Sequence, residues 1–278
     1  MSHVRPTIAL AYDFDETLAV HNMLMYIEEA LGLRRAGFEE RLWELVRTTR
    51  GDLLLLCLYL LVDVARSEEK PLTVAGLRRV GAYMEPFPGL PDWFTRINAY
   101  GAEQGIDIEH YVISSNLREI LEGSPVAPYF TRIYGSSFLY DANGHACWPS
   151  LCVDYTNKTQ FLFRINKGCL DESDMDGVNA KVPSKDKRVP FRHMIFVGDG
   201  ETDVPCMRLI RQKGGHAFAV YNEQKAGSKE LALSLEQDGR VCTALPADYR
   251  LDAPMDKAVK AIIDGVAARL RFEQVTAK

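Results

Sequence analysis

At 278 residues the chain has room for one large domain, or for a domain that carries an inserted second one. Hydrophobic residues make up 47% and charged ones 26%, the mix of a soluble globular protein with a sizeable core. The net charge of −5 leaves no basic surplus to attract a polyanion, so nucleic acid is not expected as a partner.

The opening "MSHVRPTIALAY" reaches Asp13 too soon for the apolar region of a signal peptide. Its second half, Thr7 to Tyr12, reads as a buried strand that breaks at acids. From about Ala19 to Met84 the pattern turns helical: "MLMYIEEALGL", "FEERLWELVR", "DLLLLCLYLLVDVAR" and "VAGLRRVGAYM" repeat apolar residues three or four apart. The most apolar of these, Asp52 to Ala65, falls well short of the ~20 residues of a membrane span and is read as a buried helix, with interfacial membrane contact as the alternative. "PFPGLP", Pro86 to Pro91, is the clearest linker. After it, helix and strand alternate. "PDWFTRINAYGAEQG" reads as a helix, "IEHYVISS" as a strand, and "NLREILEG" as a short helix. "SSFLYDANGHACW" reads as a hairpin turning at Asn143-Gly144, and "NKTQFLFRINKG" as a helix. "HMIFVGDG" is a strand running into a glycine turn, "DVPCMRLIRQKGG" a helix, "HAFAVY" a strand, and Asp256 to about Phe272 a long closing helix. The charged stretch Cys169 to Pro190 reads as an exposed or mobile excursion.

This alternation predicts an α/β fold: a Rossmann-like parallel sheet core, residues 1–18 and 90–278, with an inserted all-helical cap domain over residues 19–89. The six cysteines, at 57, 147, 152, 169, 206 and 242, are scattered. Only Cys147 and Cys152 lie close, at poor zinc spacing, so free thiols in a reducing, cytoplasmic setting are expected. The histidines, His21, His110, His193 and His216 among them, do not pair at metal-ligand spacing and are read as structural or surface residues.

In open parallel sheets, ligands bind beyond the carboxyl ends of the strands. Four segments put chemically active residues there or at the start of the following helix: "DFDET" (Asp13 to Thr17), "SSN" (Ser114 to Asn116), Lys158, and "GDGETD" (Gly198 to Asp203). In this order they resemble the haloacid dehalogenase superfamily, whose pattern is DxDx[TV], a Ser or Thr, a Lys, and a late GDGxxD. The resemblance runs from about residue 8 to 221, and the helical insert after the first motif is similar to that of the phosphoserine-phosphatase-like branch.

That resemblance implies a phosphomonoester hydrolase that acts through an aspartyl-phosphate. Asp13 is then the nucleophile, Asp15 the acid and base at the leaving alcohol, Ser114 a donor to a phosphoryl oxygen, and Lys158 a cation beside the phosphate. Ser115 and Lys167 compete for the last two places; Ser114 directly follows the strand "YVI", and Lys158 opens its helix near the hairpin end. Asp13 and Asp15, two apart in extended chain, point the same way; with Asp199 and Asp203 they crowd up to four carboxylates into one cleft. Such crowding calls for a cation, and all-oxygen ligands at an open site favour Mg²⁺. Asp13, Asp199 and Asp203 are its expected metal residues, with Asp15 through its backbone carbonyl, as in the family. Glu201 is expected to face solvent, and Gly198 and Gly200 to let the chain turn.

The implied partner is a small phosphorylated metabolite, with no membrane and an open oligomeric state. Rival readings are a dehalogenase or phosphotransferase of the same superfamily, the branch with "DLDET"-like motifs, and a non-catalytic phospho-ligand-binding protein on this fold. Phosphoserine phosphatases tend to carry Ser in place of Glu16 and a glycine pair in place of Ser115-Asn116, which puts phosphoserine itself in doubt. Glu28, Glu29, Arg41, Glu44 and Arg47 are candidates to face the cleft from the cap, against a solvated helix face.

Overall fold

Alternation along Thr7–Tyr12 decides which way the first strand faces. Ile8, Leu10 and Tyr12 enter one hydrophobic cluster and Ala9 and Ala11 the other, as a period of two requires. The computed structural model describes residues 5–31 and 37–276, and for 28–31 the backbone alone. After strand β1 (Thr7–Tyr12) come four helices: α1 (Met23–Leu31), α2 (Phe38–Thr49), α3 (Leu53–Ser67) and α4 (Val74–Ala82). Then follow α5 (Asp92–Glu103), β2 (Asp107–Leu117), α6 (Arg118–Gly123), β3 (Arg132–Tyr140), β4 (Ala146–Leu151), α7 (Tyr155–Lys167) and α8 (Met175–Asn179). The chain closes with β5 (Met194–Gly198), α9 (Val204–Gln212), β6 (His216–Tyr221), α10 (Ser228–Gln237), β7 (Thr243–Pro246) and α11 (Pro254–Thr276).

The seven strands form one sheet in the order β4-β3-β2-β1-β5-β6-β7. All neighbours are parallel except β3 and β4, the hairpin read around Asn143-Gly144. Helices cover both faces. Trp93, Phe94 and Ile97 of α5 and Val259 and Ile263 of α11 fill one side, while Phe161 and Ile165 of α7 and Met207 and Ile210 of α9 fill the other. From β1 the chain goes to β2 and β3 on one side and returns to β5 on the other. The topological switch, where such sheets bind ligands, therefore lies at the end of β1.

The cap helices extend the first cluster through Leu58, Leu61, Leu77 and Val80. Two crossing segments carry the cap: Val20 N–H donates to Glu85 O (2.9 Å) and Phe87 N–H to Leu18 O (2.9 Å). Asp52 caps α3 by accepting from Leu55 N, and Thr73 caps α4 by accepting from Gly76 N. The apolar stretch seen in the sequence becomes α3, with Cys57, Leu58, Leu60, Leu61, Val62, Val64 and Ala65 buried. Among the described residues no helix is long and apolar enough to cross a membrane. Helix α4 also locks onto α6 of the core. Cβ atoms at Gly81 and Gly123 would lie 2.0 Å from Ile120 O and 2.1 Å from Arg78 O, so the two backbones touch where only glycine fits.

Two features differ from the sequence reading. Strand β2 continues through Ser114-Ser115-Asn116 to Leu117, because Leu117 still pairs with Ser136 of β3 after a register shift. Helix α10 and strand β7 complete the sheet beyond β6. The 169–190 excursion is largely exposed, as read, and its 171–180 part is tied to the preceding helix: the buried guanidinium of Arg164 donates to the carbonyls of Asp171, Glu172 and Asp174, and Lys167 Nζ donates to those of Val178 and Ala180.

Candidate active site

Asp13 is the first residue past β1, and its own N–H still donates to Val197 O of β5 at 2.9 Å. Its side chain is therefore fixed between two parallel strands at the switch. Asp199 follows β5, and Asp203 ends the short turn Glu201–Asp203 that leads into α9. Carboxylate oxygens of Asp13, Asp199 and Asp203 lie within 4.8 Å of one another. Lys158, on the first turn of α7, reaches the same point and is fully buried. Its Nζ donates to Asp203 Oδ1 at 2.8 Å and stands 3.2 Å from Asp13 Oδ2. A capping box built by Asp154 and Asn157 fixes the start of α7 and so sets the height of Lys158. Lys167 lies at the far end of that helix, spent on the 175–180 segment.

Electrostatics follow from this crowding. Burial pushes Asp203 up to about 7, with Asp13's charge adding and Lys158 opposing. Burial, then Asp203 and Asp13, also hold Asp199 well above the usual carboxylate range. Burial alone pulls Lys158 down, but the charges of Asp13 and Asp203 outweigh it and keep the ammonium above its ordinary value. Ionised, three carboxylates exceed this one ammonium by two charges, the charge of one divalent cation. Asp203 Oδ2 is buried without a hydrogen-bond partner, a costly state that an oxygen-seeking ion would relieve. The donor set is all oxygen, as Mg²⁺ prefers. The residues thus fit such an ion.

Asp15 departs from the expected fourfold crowding. β1 ends at Tyr12, and the chain turns where Thr17 N and Leu18 N donate to Phe14 O, so strand alternation no longer applies. The half-buried Asp15 carboxylate faces the cap, accepting from Met23 N (3.0 Å) and from Asn116 Nδ2 (2.7 Å). Burial and the charge of Asp13 raise it to about 7. Ser114 is buried, and its Oγ accepts from Asn116 N at 3.2 Å. Ser115 Oγ donates instead to Asp154 Oδ1 at 3.3 Å. Glu201 is exposed. Neither motif glycine has positive φ. Gly198 matters for another reason: a Cβ there would sit 2.2 Å from Asp203 Oδ2, whereas Gly200 faces open space.

Beneath Asp13 runs a chain of hydrogen bonds. Trp93 Nε1 donates to Tyr12 Oη (2.9 Å), Tyr12 therefore donates to His110 Nδ1 (3.1 Å), and His110 Nε2–H donates to Asn98 Oδ1 (2.9 Å). Burial lowers His110 to about 3, so the ring is neutral, as this chain of donors requires.

Residues 10–208 match the model of the haloacid dehalogenase-like hydrolase family. The chain belongs to that family. The matched span runs from β1 into α9 and takes in all four motif segments. An uncharacterized protein of Borreliella burgdorferi is 26% identical over 251 residues, covering 81% of this chain and 86% of its own. Among solved structures, a family hydrolase from Salmonella enterica serovar Typhi superposes with a TM-score of 0.54 at 17% identity, over 78% of this chain and 63% of that one. A phosphoserine phosphatase in its apo form gives 0.55 at 14% identity, over 86% and 92%. At these identities the likeness is one of fold.

Within this haloacid dehalogenase-like site, two residues carry geometry that sequence reasoning gave no role. Asn116 holds Asp15, and nothing local in the sequence signals it. Asp154 braces both Ser115 and α7, and its signal is an Asp three residues before Asn at a helix start. Of the cap candidates, Arg41, Glu44 and Arg47 are exposed, Arg41 pairing with Asp63 at 3.0 Å. Their helix is solvated on that face, and the side chains of Glu28 and Glu29 lie outside the described residues.

Proposed function

We propose that the chain is a Mg²⁺-dependent phosphomonoester hydrolase acting on a small phosphorylated metabolite through an aspartyl-phosphate. The observation that carries this reading is the convergence of Asp13, Lys158, Asp199 and Asp203 at the sheet's switch point, with Asp15 turned toward the cap. Asp13, Asp199 and Asp203, with the main-chain carbonyl of Asp15, would hold the ion, which when bound neutralises phosphoryl charge.

Asp13 Oδ2 attacks phosphorus, and the bond from phosphorus to the leaving oxygen breaks. Asp15 gives its proton to that oxygen, so the alcohol departs neutral. Water then attacks phosphorus and passes a proton to Asp15, while the bond to Asp13 breaks; phosphate leaves and both carboxyl groups are restored. Lys158 stands beside Asp13 and offsets charge on the phosphoryl oxygens. Ser114, whose hydroxyl hydrogen is not used by Asn116 N–H, donates to one of them. Asn116 is a positioning residue that keeps Asp15 aimed at the leaving group.

The test is phosphate release from a panel of phosphorylated metabolites with and without Mg²⁺, with Asp13→Asn as control. Turnover that needs Mg²⁺ and disappears in Asp13→Asn is expected. Undiminished turnover in that variant overturns the covalent route, and indifference to chelator points to dehalogenase-like chemistry.

A further inference from the structure

A cavity of about 370 Å³ lies between cap and sheet and opens onto Asp15 and Asn116. Resting on the phosphatase reading, this is where the leaving group sits, since Asp15 must reach its oxygen. Its cap-side wall is apolar: Phe38, Leu42 and Trp43 from α2, Leu53 and Leu54 from α3. Trp43 is 47% exposed and Tyr155, across the cavity, 45%, so two aromatic rings there still have faces to cover. The charged groups lining it, besides Asp15, are Glu39 and Asp154, both acids; among the described residues no lysine, arginine or histidine lines it.

We propose that the substrate is the monophosphate ester of an alcohol whose body is apolar and bears no negative charge. A leaving group with a carboxylate or a second phosphate would bring its charge against Glu39 and Asp154 while giving up its own water. Among the described residues that cost has no offsetting partner in the walls. An alkyl or aromatic body instead covers Leu42, Trp43 and Leu53 and displaces water from apolar surface. The chemistry at phosphorus is unchanged; selection lies in what the cap can bury.

Two readouts test this. In steady state, hexyl and benzyl phosphate are compared with phosphoserine and 3-phosphoglycerate, and methyl phosphate serves as the reference for bare chemistry. The apolar esters are expected to exceed the anionic ones in kcat/KM by at least about tenfold, and Trp43→Ala to shrink the hexyl-over-methyl preference by a similar factor. In the second readout, hexyl phosphate and phosphoserine are titrated into Asp13→Asn protein with Mg²⁺, following Trp43 fluorescence, with the added Trp43→Phe change to identify the signal. Tighter binding of hexyl phosphate is expected. If no ester, methyl phosphate included, is hydrolysed but hexyl phosphate still binds more tightly, the phosphatase reading fails and the cavity assignment stands. If esters are hydrolysed but phosphoserine or phosphoglycerate is preferred, the assignment fails and the phosphatase reading stands. Binding of neither ligand also overturns the assignment.

Discussion

Replacing Gly198 by alanine probes how tightly the acidic cluster is built. The added Cβ falls 2.2 Å from Asp203 Oδ2, 2.6 Å from its Cγ and 3.0 Å from its Cβ. Asp203 is fully buried and its other oxygen is held by Lys158 at 2.8 Å, so the carboxylate has no solvent to swing into. It must retreat by about 0.8 Å to reach even a 3.0 Å contact, and overpacking of this kind costs roughly 1–3 kcal/mol. Because Asp203 is one of three converging carboxylates, a displacement near 1 Å also disturbs the reacting geometry, an effect worth about 10²-fold in rate. Urea unfolding gives the first quantity, read as a shift in midpoint at constant slope, and kcat for phosphate release gives the second. Gly200→Ala is the control: its Cβ meets nothing within 4 Å, so its stability should stay within about 0.5 kcal/mol of the parent. A Gly198→Ala protein with the parent's midpoint and kcat would refute the packing argument.

Other expectations rest on separate contacts. Lys158→Met leaves Asp13 and Asp203 buried without their cation and should cost about 3–5 kcal/mol and abolish phosphate release. Lys167→Met should keep turnover while exposing the 175–180 segment to limited proteolysis. Equal activity losses in the two variants would contradict the assignment of Lys158. Gly123→Ala drives a Cβ to 2.1 Å from a backbone carbonyl that cannot rotate away, so about 3 kcal/mol or more of stability should be lost, again read from the urea midpoint. His110 has its folded value lowered to about 3 from 6.5, so the unfolded chain binds the extra proton between these values. Its contribution is complete above pH 6.5 and drains away as pH falls toward 3, by up to ~1.4 kcal/mol per pH unit. In His110→Gln the unfolding free energy should depend less steeply on pH in that window; an unchanged slope would sink the assignment.

Residues that act within one strand or one turn were legible in the sequence. The apolar runs before Asp13 and Asp199 gave the strands, and the Asn143-Gly144 turn gave the hairpin, because each depends on local periodicity or backbone preference. Contacts between distant segments were not. Asn116 reaches Asp15 across 101 residues, and no spacing rule encodes that pair. Ser-Ser-Asn reads as the exit from a strand, yet β2 runs through it because β3 offers partners there. The 169–190 stretch reads as exposed or mobile by composition and is largely exposed, but composition does not show that Arg164 and Lys167 of the preceding helix hold carbonyls of its 171–180 part. The alternation rule placed Asp15 beside Asp13, and failed once the chain left its strand at Tyr12. Gly198 reads as a turn glycine; its need is for space against Asp203, which only the folded chain brings near.

The central claim is that Asp13 takes the phosphoryl group. Acid-quenched protein from the first turnover, digested and examined by mass spectrometry, should carry a phosphoryl adduct on the peptide containing Asp13 and none in Asp13→Asn. An adduct on another peptide, or full phosphate release by Asp13→Asn with no adduct at all, would contradict it.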